Sequence, residues 1–113
     1  MIALTGATGF VGRQILRALM EHDQPVRVIK RPDAEWPASS TARNRLDIAT
    51  TADLFAESDA GLDALTAGVD TLIHAAWYAE PGQYLTSERN LDCLNGTLTS
   101  CSGFIYRGIT DVY

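Results

Sequence analysis

A glycine-rich turn limits this chain more than any other feature. Gly6-Ala7-Thr8-Gly9-Phe10-Val11-Gly12 joins two stretches of different period. Before it, Met1 to Thr5 is a short apolar run that reads as a buried strand. After it, from Phe10 to about His22, Val11, Ile15, Leu16, Leu19 and Met20 form the apolar stripe of an amphipathic helix, which Pro25 stops. Gly6 lets the chain leave the strand in a tight turn. Gly9 leaves room for a pyrophosphate at the backbone, and Gly12 lets the helix lie close on the sheet. Free N–H groups near Phe10 and Val11 then face an anion site at the helix start, and Thr8 stands beside it. A glycine triplet alone is a weak signal, and a bare structural turn without a ligand is the competing reading. The strand before and the helix after supply the context that the ligand reading requires.

The rest of the chain continues the alternation. Val26 to Lys30 reads as a second strand and Pro32 to Ser40 as a loop. Asn44 to Ile48 reads as a weaker third strand. Thr51 to Leu65, interrupted by Ser58 and Gly61, reads as two short helices. Val69 to Ala76 is the next strand, Pro81-Gly82 a turn, and Gln83 to about Leu98 a crossover helix. Phe104 to Tyr106 is a last strand. Such alternation predicts a parallel sheet with helices on its faces, and with the glycine turn it points to an α/β fold of the Rossmann-like doubly wound kind, strand order 3-2-1-4 with a fifth strand beyond. The length holds one domain, residues 1–113, incomplete at its C-terminal end.

Composition excludes several classes. A net charge of -5 argues against a nucleic-acid partner. No apolar run approaches the roughly 20 residues of a membrane span. No basic segment precedes the first strand, so no secretory leader is expected. Cys93 and Cys101, eight apart, fit neither a redox pair nor a zinc site and read as reduced thiols of a cytoplasmic protein. Asp53, Glu57, Asp59 and Asp63 read as a solvated helix face, with no metal-ligand pattern.

The end of the second strand bears on the choice of dinucleotide. A carboxylate there holds a free ribose 2′-hydroxyl. This chain has Lys30 and Arg31 instead, with no acid from Gln24 to Pro32. A guanidinium grips a 2′-phosphate with two charge-assisted bonds. NADP is therefore expected. NAD is the alternative, if both residues are plain surface charges.

The turn as a whole, Thr5 to Gly12, resembles that of the extended short-chain dehydrogenase/reductase family, the NAD(P)-dependent epimerases and dehydratases that act mostly on nucleotide sugars. Asp47-Ile48 is similar to the family's Asp-apolar pair, which contacts the adenine ring. Asp70 to Ala76 resembles its fourth strand, whose end at Ala75-Ala76 lies beside the cofactor. Asn95-Gly96-Thr97-Leu98 resembles its Asn-x-x-Gly-Thr-Leu helix motif, and Phe104 through Tyr113 its fifth strand and turn. The resemblance covers nearly the whole chain, but only the family's N-terminal cofactor-binding portion.

The departures lie late in the chain. Cys93 replaces the motif's Asn. The family's catalytic Ser or Thr falls at Ile109, with Thr110 the nearest hydroxyl, and Tyr113 is not the catalytic tyrosine. Five residues, Thr99 to Gly103, stand where the family has about twice as many. These features predict a truncated or rearranged piece of a longer enzyme. The Tyr-x-x-x-Lys pair is absent, so no turnover by the chain alone is expected. The resemblance implies a nucleotide-sugar epimerase, dehydratase or reductase, with the nucleotide sugar bound only in the full-length enzyme. It also implies a homodimer through two helices, of which this chain holds at most one. A non-catalytic dinucleotide sensor and a reductase of small carbonyl compounds remain as alternatives. His74 reads as a hydrogen-bonded strand-end histidine before a catalytic base. Trp77 and Tyr78 read either as walls of the nicotinamide side or as core caps. Cys93 reads as a buried small hydrophobe before a reactive thiol.

Overall fold

The computed structural model describes residues 1–34, 46–76, 87–106, 109 and 111–113. Among the described residues five strands and three helices follow in the order β1 (Ile2–Thr5), α1 (Phe10–Glu21), β2 (Val26–Lys30), β3 (Leu46–Thr50), α2 (Asp59–Thr66), β4 (Thr71–His74), α3 (Arg89–Tyr106) and β5 (Asp111–Val112). A single 3-10 turn, Leu54–Ala56, lies between β3 and α2. The strands form one sheet in the order β3-β2-β1-β4-β5, every pair parallel. β1 is central, pairing Ile2 with Val26 on one side and with Thr71 on the other.

A parallel sheet needs both faces covered. Alternate residues therefore enter two cores. Leu4, Val26 and Val28 face α1, where Ile15, Leu16 and Leu19 close over them. Ala3, Ile29 and Leu72 face the other way, onto Leu54 of the 3-10 turn, Leu62 and Leu65 of α2, and Val69 in the segment before β4. Leu4, Val28 and Leu72 are fully buried, each contributing roughly 1.5–3 kcal/mol. The expected stripe on α1 holds at its centre, but Val11 stays exposed.

The glycine turn fixes how α1 meets the sheet. Gly6 has φ +73°, a left-handed conformation that a side chain would strain. The Gly9 N–H donates to the Gly6 carbonyl at 3.0 Å and closes the turn. Gly12 is buried against it: a Cβ there would stand 2.0 Å from the Gly6 oxygen.

Several boundaries differ from expectation. β3 runs to Thr50, two residues beyond the expected end. β4 stops at His74, so Ala75 and Ala76 leave the sheet. Phe104 to Tyr106 are helical, not a strand; α3 is 18 residues long and continues through them. The reason is topological. A strand parallel to β4 must begin beside Thr71, so the chain has to return the full length of the sheet. α3 makes that return, and Asp111–Val112 then pair with Thr71 and Leu72. The Thr and Ser residues that disfavour a helix after Gly96 cost only tenths of a kcal/mol each.

Gly12→Ala should destabilise the chain by about 1–3 kcal/mol, because backbone and not a movable side chain occupies the Cβ position. Urea unfolding of the two chains measures the difference.

Candidate functional site

Because all strands are parallel, their carboxyl ends share one edge of the sheet. Open α/β sheets bind ligands at that edge. Here it holds a cavity of about 690 Å³, within the usual 300–1,000 Å³ of ligand sites. Its floor is Thr5, Gly6, Thr8 and Gly9, the exit of β1 and the turn. Lys30, Arg31 and Ala34 form the β2 side, and Ala75 and Ala76 the β4 side. Thr51 to Phe55 close one wall, and Arg89, Asp92 and Cys93 of α3 another.

α1 begins at this floor. Gly9 is its N-cap, with extended backbone and no side-chain cap. Helix starts leave backbone N–H groups without helical partners, and the positive end of the dipole lies there. The first turn also lacks an acidic residue that would compete with an anion. Phe10 and Val11 are exposed at this start, and Gly12 serves packing alone.

The two cations of β2 separate. The Lys30 ammonium donates to the carbonyls of Arg31 and Ala34, at 3.1 and 3.0 Å, and holds the loop after β2. Arg31 stays exposed, with its guanidinium 3.8 Å from the Asp33 carboxylate.

Asp47 and Ile48 do not line the cavity. The Arg27 guanidinium donates to the Asp47 carboxylate at 2.7 Å and to the Leu65 and Ala67 carbonyls. Ile48 lies exposed on the edge strand. A second Asp-apolar pair, Asp53-Leu54, occupies the cavity wall instead. The expected β3 ended too early, which placed Asp47 at the strand's carboxyl end; in register it pairs with Arg27, near the strand's start. The recurrence of the pair six residues later was the signal in the sequence. Asp53 also caps the 3-10 turn, accepting from the Phe55 N–H at 3.0 Å. Behind this wall the Thr51 hydroxyl donates to Glu57. That bond, and the Ser58 N–H, hold the Glu57 carboxyl below its usual pKa.

His74 sits one residue before the Ala75-Ala76 wall. Its Nδ1 is 2.7 Å from the Thr5 hydroxyl and its Nε2 is 3.1 Å from the Thr97 hydroxyl. Phe55 meets the ring edge-on, centroids 5.9 Å apart. Burial alone lowers its pKa below 6.5. It is thus the hydrogen-bonded strand-end residue expected. Cys93 is buried, 6% exposed, and a free thiol. Trp77, Tyr78 and Thr110 lie outside the described residues. Among the described residues no group of three His, Cys, Asp or Glu is placed to hold a metal ion, and no helix is long and apolar enough to cross a membrane.

The sequence pattern of the NAD dependent epimerase/dehydratase family matches residues 2–99. The chain belongs to that family. Solved structures share its fold. The UDP-glucose 4-epimerase of Thermus thermophilus, in complex with NAD, is 16% identical with a TM-score of 0.72, over 98% of this chain and 35% of that one. The UDP-N-acetylglucosamine 4-epimerase of Methanobrevibacter ruminantium, in complex with UDP-N-acetylmuramic acid, is 21% identical with a TM-score of 0.70, over 98% and 36%. A short-chain dehydrogenase/reductase superfamily protein of Agrobacterium tumefaciens with bound NAD is 18% identical with a TM-score of 0.69, over 99% and 31%. This epimerase/dehydratase chain thus spans about a third of the length of these proteins. No curated protein sequence matches it.

The lowered His74 pKa gives a pH dependence of known sign. The unfolded chain takes up the proton first as pH falls below about 6.5, so stability is full above that value and declines as pH drops through the lower folded pKa. Denaturant unfolding at about pH 7.5 and about pH 5.5, on either side of that value, should show a larger loss for the wild type than for His74→Gln. Titrations common to both chains cancel in the comparison.

Proposed function

We propose that this chain is the NADP-binding portion of a nucleotide-sugar epimerase, dehydratase or reductase of the extended short-chain dehydrogenase/reductase type. One observation carries the proposal: the glycine turn and the start of α1 open into the cavity at the carboxyl edge of the sheet. Backbone N–H groups of Phe10 and Val11 would receive a pyrophosphate, with Gly6 and Gly9 offering backbone in place of bulk and Thr8 beside them. Asp53 and Leu54 take the adenine-side place that the resemblance gives to an Asp-apolar pair. Bound there, the dinucleotide supplies hydride exchange. The chain's own residues bind and orient it.

The finer choice of NADP rests on Arg31. Lys30 is committed to two carbonyls, which leaves Arg31 to meet a 2′-phosphate. Its contact with Asp33 is long and exposed, worth at most about 1 kcal/mol, so a phosphate can replace it. The NAD complexes of the Thermus and Agrobacterium proteins support a nicotinamide dinucleotide in general. The uridine-nucleotide ligand of the Methanobrevibacter epimerase supports the substrate class. A free thiol at Cys93 suits the reducing cytoplasm, which is where we place the protein.

A second reading, a dinucleotide-binding module without catalysis, is favoured by one fact. Ile109 stands where the resemblance puts the family's catalytic Ser or Thr. A homodimer also belongs to the proposal: Leu91, Leu94 and Leu98 stand exposed at helical spacing on α3. Sedimentation equilibrium tests it, with Leu94→Glu expected to shift the chain to monomer. Titration with NADPH and NADH tests the cofactor. NADPH should bind more tightly, and Arg31→Ala should weaken NADPH about tenfold while changing NADH less than about twofold. Equal affinities in the wild type would return the choice to NAD.

A further inference from the structure

Four elements meet at His74, and none of the chemistry above uses the ring. Thr5 ends β1, His74 ends β4, Thr97 lies in α3, and Phe55 belongs to the 3-10 turn. Gly96 lets them close: a Cβ there would stand 2.4 Å from the Phe55 Cβ. The Thr5 hydroxyl is the centre of a short chain of hydrogen bonds. Thr5 is 1% exposed, so its single proton needs an acceptor within the protein. The Ala76 N–H donates to this hydroxyl oxygen at 3.4 Å, and the Ala75 N–H donates to the Thr5 carbonyl at 3.2 Å. Thr5 therefore holds both residues of the β4 wall of the cavity. The hydroxyl proton goes to the ring nitrogen 2.7 Å away, His74 Nδ1. That makes Nδ1 an acceptor and places the ring's one proton on Nε2, which donates to Thr97 at 3.1 Å.

We propose that His74, fixed by Thr97 as the Nε2–H tautomer, is a positioning residue that sets dinucleotide affinity by holding Thr5 and the Ala75-Ala76 wall. This rests on the cofactor reading above. The ring does not line the cavity. It acts through Thr5, which does. Without Thr97 the imidazole loses the partner that fixes its tautomer and rotation. The Thr5 hydroxyl then loses its fixed acceptor, and the wall loses its tie to β1.

The test uses the full chain and NADPH as the probe, with nitrogen NMR of the two imidazoles, His22 and His74. The ligand-free spectrum should show His74 with Nδ1 unprotonated and Nε2 protonated. A proton found on Nδ1 overturns the proposal. Thr97→Val keeps the shape and removes the hydroxyl. It should weaken NADPH about tenfold and release the tautomer preference. Thr97→Ser keeps the hydroxyl and should restore both, with affinity back to within about twofold. Equal binding by wild type and Thr97→Val, or equal loss in the Val and Ser variants, overturns the proposal. If Thr97→Val unfolds, His74→Phe replaces it. That change keeps an aromatic ring against Phe55 and should also cost about tenfold or more. Wild-type affinity in that variant overturns the positioning role. A folded wild type with the expected tautomer that binds neither NADPH nor NADH refutes the cofactor reading, and with it the role. A wild type that binds while the variants bind equally well refutes the positioning role alone.

Discussion

Everything in this chain is arranged around a place where backbone touches backbone. The Gly6 peptide has α1 on one side and the exit of β4 on the other. A Cβ on Gly12 would reach its oxygen at 2.0 Å, and a Cβ on Gly6 itself would reach the Ala75 carbonyl carbon at 2.5 Å. No side chain fits in either gap. Because the gaps are closed, the first turn of α1 is pressed against the end of the central strand. The helix start therefore lies at the sheet's carboxyl edge and not out over its face. The α1 layer then has a fixed separation from the sheet, and the same turn forms the floor of the cavity.

How much of this was legible in the sequence depends on whether the signal was local. The turn, α1 and β2 were readable because their signals are dense: three glycines, an apolar stripe and a β-branched run ended by Pro32. The parallel sheet followed from the alternation, and its order from the glycine turn that marks a dinucleotide-type fold. The pair of short helices followed from Ser58, which caps α2 by accepting from the Gly61 N–H. The last strand was not readable, since Phe104-Ile105-Tyr106 has strand composition but the length of the return path decides its state. Seven of the twelve expected cofactor residues line the cavity, namely Gly6, Thr8, Gly9, Lys30, Arg31, Ala75 and Ala76. Asp47 failed by strand register, a long-range property. Arg89 and Asp92 had no signal, because only the packing of α3 on the 3-10 turn brings them to the rim.

The site divides its work between backbone and side chains. In the proposed reading backbone supplies the anion-binding part, which makes it insensitive to most substitutions apart from those at glycine. In the same proposed reading side chains discriminate between cofactors, through Arg31 on one rim and Asp53 on the wall. The two parts come from different strand ends. On that reading a change in cofactor preference can arise at the end of β2 without disturbing the glycine turn. Membership of the epimerase/dehydratase family rests on the segment that holds both parts, residues 2–99.

Lys30 adds a chemical individuality to the rim. Its ammonium is the only side-chain amine in the 113 residues, and it is bonded into the loop that follows β2. An acyl group on that nitrogen would remove its charge and two of its three donors, so it could no longer serve both carbonyls. Acylation of this chain would therefore loosen one wall of the cavity, and it could do so without touching the turn, the helix start or either hydrophobic layer.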